Sequence, residues 1–497
     1  MFTFISAILY CCALWPQTAS QEIGAPSGSV FESSSVALIE TLDEPTERLN
    51  AITTVATDTN SFSNDLARRV ESLEKSLEFT LQEHKKNAEK EREKEADAKS
   101  DRPVGLEKKK STEAESSDKW TVRLGGHIQM DYITWASTDP AIADAQNYFN
   151  YRRLRLVADG TGYDQFDFRL QMTLEPGDGL NVSPHATPDV KDAYVSMNEI
   201  PGIGRFRIGN FFVPFSLEQV TNDTNNIFNE RSIPTQNIFA ADREVGMALY
   251  NCTSDQNLSW AGGIFFHDIS DTIKTRFRDS QGYRLSGRIN WLPYYDEACK
   301  GRYLVHTGLG ILHTNSFNDL LRFRARPQVQ RGPILIDSGF LDASSNTTGN
   351  AELACVWGPV TVQSEAFLSQ VNLIGDGVAH VGGAYAHLSY FLTGENRIYE
   401  RFGQHGAQFG RNRPFRNFSA RRGSFNPGAW EAKVRWSLLD LMDIGSGQYN
   451  DLSVGFNWYW SDRTRIMFDW IRPYTTSDTV FGSTQSDLIA MRFDVNW

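Results

Sequence analysis

Beyond its first 20 residues, the 497-residue sequence contains no run of about 18 consecutive apolar residues, so it predicts no membrane-spanning helix. Cysteine is scarce, and Cys252, Cys299 and Cys355 are the three that follow residue 20. An odd number excludes a framework in which every cysteine is paired, although one disulfide stays open. The formal net charge of −12 excludes the basic face of a nucleic-acid-binding protein. We therefore expect no nucleic-acid partner.

The sequence also lacks the motifs of common enzymes. We find no HExxH, no GxSxG, no phosphate-binding loop and no paired-cysteine motif. The nine histidines are scattered, and we interpret each as a pore or loop residue rather than as a metal ligand. A Ser/His pair on the lipid face, as a barrel phospholipase needs, stays open, but nothing in the sequence indicates one. We expect no catalytic activity, no cofactor and no metal.

The first 20 residues have the pattern of a secretory signal peptide. An apolar stretch from Phe2 to Trp15 is followed by a proline and small residues. The stretch is too short for the alternative, a membrane anchor, although it lacks the usual preceding Lys or Arg. We predict a signal peptide over residues 1–20 and therefore an exported protein.

Residues 21–119 are polar and contain one helical pattern. Residues 21–60 are rich in Ser, Thr, Ala and acidic residues without a sustained period, which predicts a flexible lead. Within residues 61–99, apolar residues recur three and four apart and would form one stripe on a helix, namely Leu66, Val70, Leu73, Leu77 and Leu81. We expect a coiled-coil stalk that joins copies of the chain or contacts the cell wall or periplasm. An isolated charged helix is the alternative, and residues 100–119 are interpreted as a charged linker.

From residue 120 onward, apolar and polar residues alternate over long segments. The first is WTVRLGGHIQMDY (Trp120–Tyr132), and the pattern returns over residues 165–174, 430–438 and 452–460. Tilted strands of roughly 9–11 residues cross a bilayer, and the aromatic residues near the segment ends are typical of interfacial girdles. A soluble β-sandwich, which would turn its apolar face inward, is the alternative that these features disfavour.

The final segment, DLIAMRFDVNW (487–497), alternates and ends on an aromatic residue, Trp497. Bacterial outer-membrane proteins commonly end on such a strand, usually with Phe. Between Trp120 and Trp497, about 17 segments alternate, whereas a bacterial barrel has an even number of strands. We predict an all-β, 16-stranded antiparallel transmembrane barrel over residues 120–497. Eighteen strands is the alternative, because Leu320–Pro327 and Ala351–Trp357 are the least regular segments.

Arginine is the abundant basic residue of the alternating region, with 30 arginines against four lysines. Alternation aims many of them into the lumen, since a charge facing lipid costs about 2–4 kcal/mol near the bilayer centre. A guanidinium offers a fixed fork of donors to phosphate or carboxylate oxygens. The candidates for an anion pathway are Arg153, Arg155, Arg169, Arg205, Arg207, Arg284, Arg288, Arg322, Arg324 and Arg326.

Acidic residues on the same parity leave a second interpretation open. The alternating region carries 39 Asp and Glu residues, among them Asp131, Asp167, Glu365, Glu431 and Asp469. These carboxylates could neutralise many of the arginines, as in the mixed lining of a general porin. Anion selectivity therefore depends on how the two charges are distributed around the lumen.

The stretch Arg205–Leu249 resembles the phosphate-selective porin O and P family. It shares a Pro-Phe-x-Leu-Glu turn, a Glu-Arg-Ser segment and an Arg-x-x-Gly strand start, here Pro214, Phe215, Leu217 and Glu218, then Glu230, Arg231 and Ser232, then Arg243 and Gly246. Tyr151–Gly160 and Lys191–Met197 are similar to two further strands of the family. The resemblance implies a homotrimer of 16-stranded barrels, each narrowed by an inward-folded loop near Val213–Asp242. It adds Arg231, at the constriction, and Arg243 to the candidates.

Together, the residues and the resemblance predict a porin of the bacterial outer membrane, in contact with its lipid, for passive diffusion of small inorganic anions, phosphate among them. One departure is that strong phosphate binders of the family carry a Lys-rich funnel, whereas here only Lys191, Lys274, Lys300 and Lys433 follow Trp120. A general solute porin and a structural outer-membrane anchor are the alternatives, although an anchor needs only about eight strands.

Overall fold

The computed structural model describes residues 120–142, 145–175, 189–236, 238–266, 282–316, 319–421 and 424–497. The predicted signal peptide, flexible lead, coiled coil and linker lie outside the described residues. Within the described part of the chain, no helix has the length and hydrophobicity needed to cross a membrane.

Sixteen antiparallel strands form one closed barrel, as the alternation predicts. They are β1 (Thr121–Ser137), β2 (Tyr148–Gly162), β3 (Phe166–Thr173), β4 (Asp189–Ile200), β5 (Gly204–Phe212), β6 (Arg243–Cys252), β7 (Leu258–Phe266), β8 (Tyr283–Tyr295), β9 (Tyr303–Asn315), β10 (Leu341–Trp357), β11 (Val360–Leu373), β12 (Gly377–Phe391), β13 (Ala429–Asp440), β14 (Gln448–Tyr459), β15 (Thr464–Thr475) and β16 (Asp487–Asn496). Each strand pairs with the next along the chain, and β16 pairs with β1, where Val495 lies opposite Ile128. Closure leaves no edge strand to be exposed to lipid.

Burial along the strands follows the alternation but is opposite to that of a soluble sandwich. In β1, Gln129 and Asp131 are buried, whereas Tyr132 is exposed. In β14, Ser453 and Asn457 are buried and Val454 is exposed. Polar side chains therefore line the interior and apolar side chains cover the outside, which is the arrangement that a bilayer requires.

The two ends of the barrel differ in the length of their connections. Short turns such as residues 163–165, 201–203 and 460–463 lie at the end where β16 finishes, here called the turn end. Longer connections, such as residues 213–242 and 316–340, leave the opposite end, here called the loop end. In bacterial outer-membrane barrels, short turns face the periplasm and long loops face the outside.

Short elements occupy the connections. They are a helix at Leu217–Val220, a 3-10 helix at Met442–Ile444, and strands at Leu320–Leu321, Arg324–Ala325, Ile336–Asp337, Tyr399–Gly403, Gly406–Phe409, Ser419–Arg421 and Ser424–Asn426. None of these strands completes a crossing of the barrel wall, although Leu320–Leu321 extends the start of β10 by two pairs.

The segment Leu320–Pro327 is not a wall strand, which corrects the prediction for its three arginines. The β9 strand pairs directly with β10, with Leu309 opposite Ala351, and so leaves no place for another strand between them. Arg322, Arg324 and Arg326 therefore lie in the connection 316–340 and not on the lumen face of a strand. Proline cannot donate to a strand ladder, and Pro327 follows these alternating arginines directly.

Candidate functional site

The connection between β5 and β6, residues 213–242, folds into the barrel and is called the inner loop. Its backbone reaches the wall that faces β5, where the amide of Glu218 donates to the Glu365 carboxylate on β11 at 2.8 Å. Further along, the Asn229 amide donates to the Asp469 carboxylate on β15 at 2.9 Å. The inner loop therefore crosses the lumen and narrows it.

Local contacts hold the inner loop in shape. The Ser216 hydroxyl accepts from the Gln219 amide at 3.3 Å and caps the short helix, in the usual manner of a helix N-cap. The Glu218 carboxylate accepts from the Ser232 hydroxyl at 2.6 Å and so ties the two halves of the loop together. Near the start of the loop, Phe215 is fully buried in the largest apolar cluster of the barrel.

Three arginines of the predicted set meet at one carboxylate of the inner loop. Asp223 lies 3.1 Å from Arg153 Nε, 2.9 Å from Arg155 Nη1 and 2.8 Å from Arg231 Nη1. Burial would raise the pKa of Asp223, but Arg153, Arg231 and Arg155 hold that pKa well below its ordinary value. A second carboxylate, Glu175, lies 3.8 Å from Arg155. Positive charge is therefore in excess at this point of the lumen.

A second group of arginines surrounds Glu230 on the same loop. Arg152 Nε lies 2.5 Å from the Glu230 carboxylate and Arg492 Nη2 lies 2.7 Å from it, while Arg153 lies 3.9 Å away. Arg492 also makes a bidentate pair with Asp131 at 2.6 and 2.7 Å. Burial would raise the pKa of Glu230, but Arg152 and Arg492 keep it far below its ordinary value. Both carboxylates therefore remain ionised at neutral pH.

Arg152 was not among the predicted residues, because strict alternation would place it on the lipid face. A β-bulge changes its direction. Gln129 of β1 pairs with Arg153, whereas Met130 pairs with Tyr151, so Arg152 has no partner on β1 and turns toward Glu230. The signal that could have found it is the pair of adjacent arginines in a membrane-crossing strand, since one of them would otherwise face lipid.

Arg169 and Arg243 meet at Asp192 on β4, and their charges are balanced. Arg169 Nε lies 3.2 Å and Arg243 Nε 2.7 Å from the Asp192 carboxylate. Arg169 also contacts Asp159 at 3.1 Å, and Arg243 contacts Asp242 at 3.2 Å. Three carboxylates thus share two guanidinium groups, so this part of the wall offers less net positive charge than the Asp223 group.

Three more of the predicted arginines bind a segment that enters the barrel from the turn end. This connection between β12 and β13, residues 392–428, is called the turn-end segment. Arg205 donates to the Gly403 carbonyl at 2.9 Å, and Arg288 donates to the Ala407 carbonyl at 2.9 Å and pairs with a wall carboxylate. Arg207 contacts the ring of His405 at 3.4 Å. Sequence analysis missed this segment, although a long connection among short turns was the signal.

The remaining predicted arginines lie at the loop end. Arg284 pairs with Glu244 and donates to Thr314 at 2.9 Å. Arg322, Arg324 and Arg326 belong to the connection 316–340, which is called the second inner loop. It also enters the barrel, since Gln328 donates to the Asp451 carboxylate on β14 at 2.6 Å and accepts from Arg435. The predicted arginines therefore fall into separate groups rather than one row.

Other basic side chains of the lumen were also missed. Lys433 and Arg435 occupy the polar parity of β13, where Lys433 pairs with Asp469 at 2.7 Å and Arg435 with Glu218 at 3.3 Å. Arg465 pairs with Asp494 on the neighbouring strand at 2.9 Å. Their parity alone could have identified them, because it matches that of the acidic residues on the same strands.

Arg397 of the turn-end segment differs from the other buried arginines. It donates to Gln363 at 3.0 Å and lies 3.9 Å over the ring of Phe409, yet it has no ion-pair partner among the residues that the structure describes. Burial lowers the pKa of Arg397 to about 10. Its Nε, like that of Arg435, is buried and makes no hydrogen bond to the described part of the protein. A buried donor left unpaired in this way costs about 1–3 kcal/mol.

The three cysteines, Cys252, Cys299 and Cys355, are unpaired thiols, so the disulfide left open by the sequence does not form among them. Within the described ranges, no group of three or more His, Cys, Asp or Glu side chains is placed to hold a metal ion.

A closed barrel of sixteen strands, apolar outside and polar inside, with loops folded into its lumen, defines an outer-membrane porin. The family model for phosphate-selective porin O and P matches residues 122–497, and this chain belongs to that family. It is therefore a protein of the bacterial outer membrane, and its family and fold indicate a channel rather than an enzyme.

Individual relatives are distant in sequence. An uncharacterized protein of Caulobacter vibrioides is 28% identical over 357 residues, which cover 69% of this chain and 66% of that one, slightly less than two thirds of its length. Porin O of Pseudomonas aeruginosa is 20% identical over 414 residues, 76% of this chain and 88% of that one. Among solved structures, the anion-selective porin from Comamonas acidovorans is 13% identical, with a TM-score of 0.48, over 76% of this chain and all of that chain.

Proposed function

We propose that this porin lets small anions diffuse passively across the outer membrane, with a weak preference for anions rather than tight binding of phosphate. The observation that carries the proposal is the group at Asp223, where Arg153, Arg155 and Arg231 surround one buried carboxylate of the inner loop. An anion that passes the inner loop meets more positive than negative charge there. The description of the family as phosphate-selective supports the same class of solute.

The pathway that we propose runs between two cavities. One of about 500 Å³ lies at the loop end, beside Arg324, and one of about 340 Å³ lies at the turn end, beside Arg205 and Arg207. Between them, a solute passes the groups at Glu230 and Asp223. Arg207 extends the positive lining toward the turn end, because its carboxylate partner, Asp167, lies 4.0 Å away.

The pairing of the arginines supports weak rather than tight binding. Arg155 and Arg231 already share Asp223, and Arg492 already has a bidentate partner in Asp131, so an anion must compete with these carboxylates. A conducting channel needs binding that is favourable enough for entry and weak enough for release. Preference for phosphate over other anions is the finer part of the proposal, and we expect it to be small because the lysines of a phosphate funnel are few.

A general solute porin is the second candidate function. It is supported by those lumenal basic residues whose charge is neutralised in ion pairs. Arg169 and Arg243 are balanced by carboxylates, and Lys433 and Arg465 each have one. If this balance extended along the whole pathway, the channel would discriminate little between anions and cations. The two functions therefore differ in a single measurable quantity, the ratio of anion to cation permeability.

The test is the reversal potential of the full-length protein in planar bilayers with a KCl gradient. We expect a reversal potential whose sign shows that chloride is more permeant than potassium. Replacing chloride by a bulky anion should then reduce the current more than replacing potassium by a bulky cation. A potential at zero would favour the general porin, and a potential on the potassium side would overturn the anion proposal. Absence of channels would favour a structural anchor.

We also propose a homotrimer whose coiled coil, residues 61–99, joins the copies or contacts the cell wall or periplasm, behind a signal peptide over residues 1–20 and a linker over 100–119. Deletion of residues 61–99 tests the coiled coil. If the coiled coil joins the copies, the trimer of the deletion variant should dissociate at a lower temperature than the trimer of the full chain, as followed by native electrophoresis. An unchanged trimer would assign the helix to contact with the envelope.

A further inference from the structure

The cavity at the loop end lies between the two inner loops and has a mixed lining. Its volume is about 500 Å³, and the second inner loop contributes most of its wall. The residues that line it include the cationic Arg322, Arg324 and Arg326 and the apolar Ile233, Val329 and Phe340. This lining therefore differs from the polar surroundings of Asp223 and Glu230 deeper in the lumen.

Three arginines, Arg322, Arg324 and Arg326, give this cavity its positive charge. Arg322 is held by a bidentate pair with Asp337, with distances of 2.8 and 2.5 Å. Arg324 is exposed, lies opposite Asp337 in the backbone ladder and has no ion-pair partner among the described residues. Two guanidinium groups therefore share one carboxylate, and the Arg324 fork is accessible to a solute. A guanidinium fork matches the two oxygens of a carboxylate.

Apolar side chains form the other part of the lining. Ile233 and Val329 are buried behind the lining, whereas Phe340 at the rim is 69% exposed. The Arg322 guanidinium lies 4.9 Å from the centre of the Phe340 ring. Phe340 thus presents an aromatic face to the solution at the entrance of a polar lumen, beside a cation. An apolar group that covered this face would be removed from water favourably.

We propose that this cavity binds organic anions that carry an apolar group next to a carboxylate, with the carboxylate on Arg324 and the apolar group on Phe340. This inference rests on the proposed anion porin and names the class of its substrates. Inorganic phosphate gains nothing from Phe340, because its oxygens need hydrogen bonds and an aromatic ring offers none. An anion that carries an apolar group can contact both the guanidinium groups and the aromatic ring of the lining.

The cavity also leads toward the rest of the proposed pathway. Gln236, which lines it, donates to the Glu230 carboxylate at 3.4 Å. Glu230 is the centre of the group that contains Arg152 and Arg492. A carboxylate that leaves Arg324 therefore approaches the next guanidinium groups at the inner loop. Binding at the entrance would raise the local concentration of the anion in front of the constriction.

Benzoate and acetate are the matched probes, because both are carboxylates and only benzoate carries an apolar ring. Block of the single-channel current of the full-length protein is measured with each probe, and with inorganic phosphate, added on the loop side. We expect benzoate to block at a concentration at least ten-fold lower than acetate or phosphate. Phe340→Ala should bring benzoate close to acetate and leave acetate unchanged, whereas Arg324→Ala should weaken both.

Phe415→Ala is the control, because Phe415 is 66% exposed on the turn-end segment and lies far along the chain from this cavity. It should leave the block by benzoate unchanged. Titration calorimetry of benzoate into the detergent-solubilised porin provides a second readout that needs no current. The wild-type protein should bind benzoate more tightly than benzyl alcohol. Phe340→Ala and Arg324→Ala should each bind benzoate at least five-fold more weakly than the wild type.

Equal block by benzoate and acetate, or tighter block by phosphate, would overturn this inference. The reversal potential separates the two proposals. An anion-favouring potential together with equal block leaves the anion porin standing and removes only the organic-anion site. A potential that favours cations removes the anion porin itself, and in that case benzoate binding by calorimetry still decides whether the cavity is a carboxylate site.

Discussion

The Arg231 guanidinium lies 2.8 Å from the carboxylate of Asp223, and both residues belong to the inner loop. Arg231 also donates to the carbonyls of Glu218, Gln219 and Thr221 at 3.0–3.1 Å. The residue that the family resemblance places at the constriction therefore uses its donors to hold the loop in shape. Its expected effect on solutes is therefore twofold, since it positions the loop and adds its charge to that of Arg153 and Arg155 on the wall beside it.

We predict that Arg231→Ala both loosens the inner loop and lowers the preference for anions. Loss of three hydrogen bonds to buried carbonyls should destabilise the loop by about 1–3 kcal/mol, while Asp223 keeps Arg153 and Arg155 as partners. The measurement is single-channel current noise together with the reversal potential. Noise should rise, and the potential should move toward the potassium side because one of the three guanidinium groups beside Asp223 is lost. Arg231→Lys keeps the charge but not the fork, so it should raise the noise and leave the potential close to that of the wild type. A shift of potential without added noise in Arg231→Ala would contradict the prediction.

Asp223→Asn tests the charge excess directly. It removes the negative charge of the carboxylate that three guanidinium groups share and keeps a similar shape. A unit charge near a partly hydrated path changes the energy of an ion by on the order of 1 kcal/mol, which is about five-fold in permeability ratio. The ratio of anion to cation permeability should therefore rise by about that factor.

The matched control for Asp223→Asn is Asp255→Asn, in an exposed turn at the turn end. It should leave the reversal potential as it is in the wild type. If Asp223→Asn also leaves the potential unchanged, ions do not pass close to Asp223, and the pathway that we propose is misplaced.

Acidification is predicted to release the turn-end segment through His405. This histidine is buried, packs on Phe212 and faces Arg207, and burial followed by the charge of Arg207 lowers its pKa well below the ordinary value. A group whose folded pKa is depressed in this way opposes folding once the unfolded form takes up its proton. Docking of the segment should therefore weaken as the pH falls below about 6.5, by up to about 1.4 kcal/mol for each pH unit.

Limited proteolysis of the segment at pH 7 and pH 5 measures this release. Cleavage within residues 392–428 should be faster at pH 5 in the wild type, and the difference should shrink in His405→Gln. His380→Gln, at an exposed position of β12, is the control and should keep the wild-type difference. Asp223 and Glu230 should not contribute over this range, because their depressed pKa values keep them ionised at both pH 7 and pH 5. Equal cleavage at both pH values would contradict the role of His405.

The strands could be predicted from the sequence because their signal is local. In β16, Ile489, Met491 and Phe493 alternate with polar residues, and lipid on one side and water on the other give each parity one environment. The segment around Arg322 and Arg324 alternates just as well but is a loop. This segment is excluded from the wall because β9 pairs directly with β10. That pairing does not depend on the residues of the segment itself, so their pattern does not reveal it.

The site was less predictable for the same reason. Parity identified Arg153 and Arg155 as lumenal, but their partner Asp223 lies in a loop that returns through the barrel. The inward turn of Arg152 depends on a bulge in its pairing with β1, and the burial of Arg397 depends on the entry of the turn-end segment. Each of these features is set by tertiary contacts, which a pattern of residue types along one strand does not encode.

The outward face of the wall offers a final prediction, for Leu309 at the centre of β9. Leu309 is 62% exposed and its neighbours across the ladder, Ile289 and Ala351, are apolar or small, as expected for a surface in contact with lipid. Leu309→Arg should destabilise the barrel by about 2–4 kcal/mol, because a guanidinium near the bilayer centre loses its hydration. Urea unfolding in phospholipid vesicles measures this change. Ser477→Arg, in an exposed connection at the loop end, should cost little, and equal unfolding midpoints for the two variants would show that this face of β9 does not contact lipid.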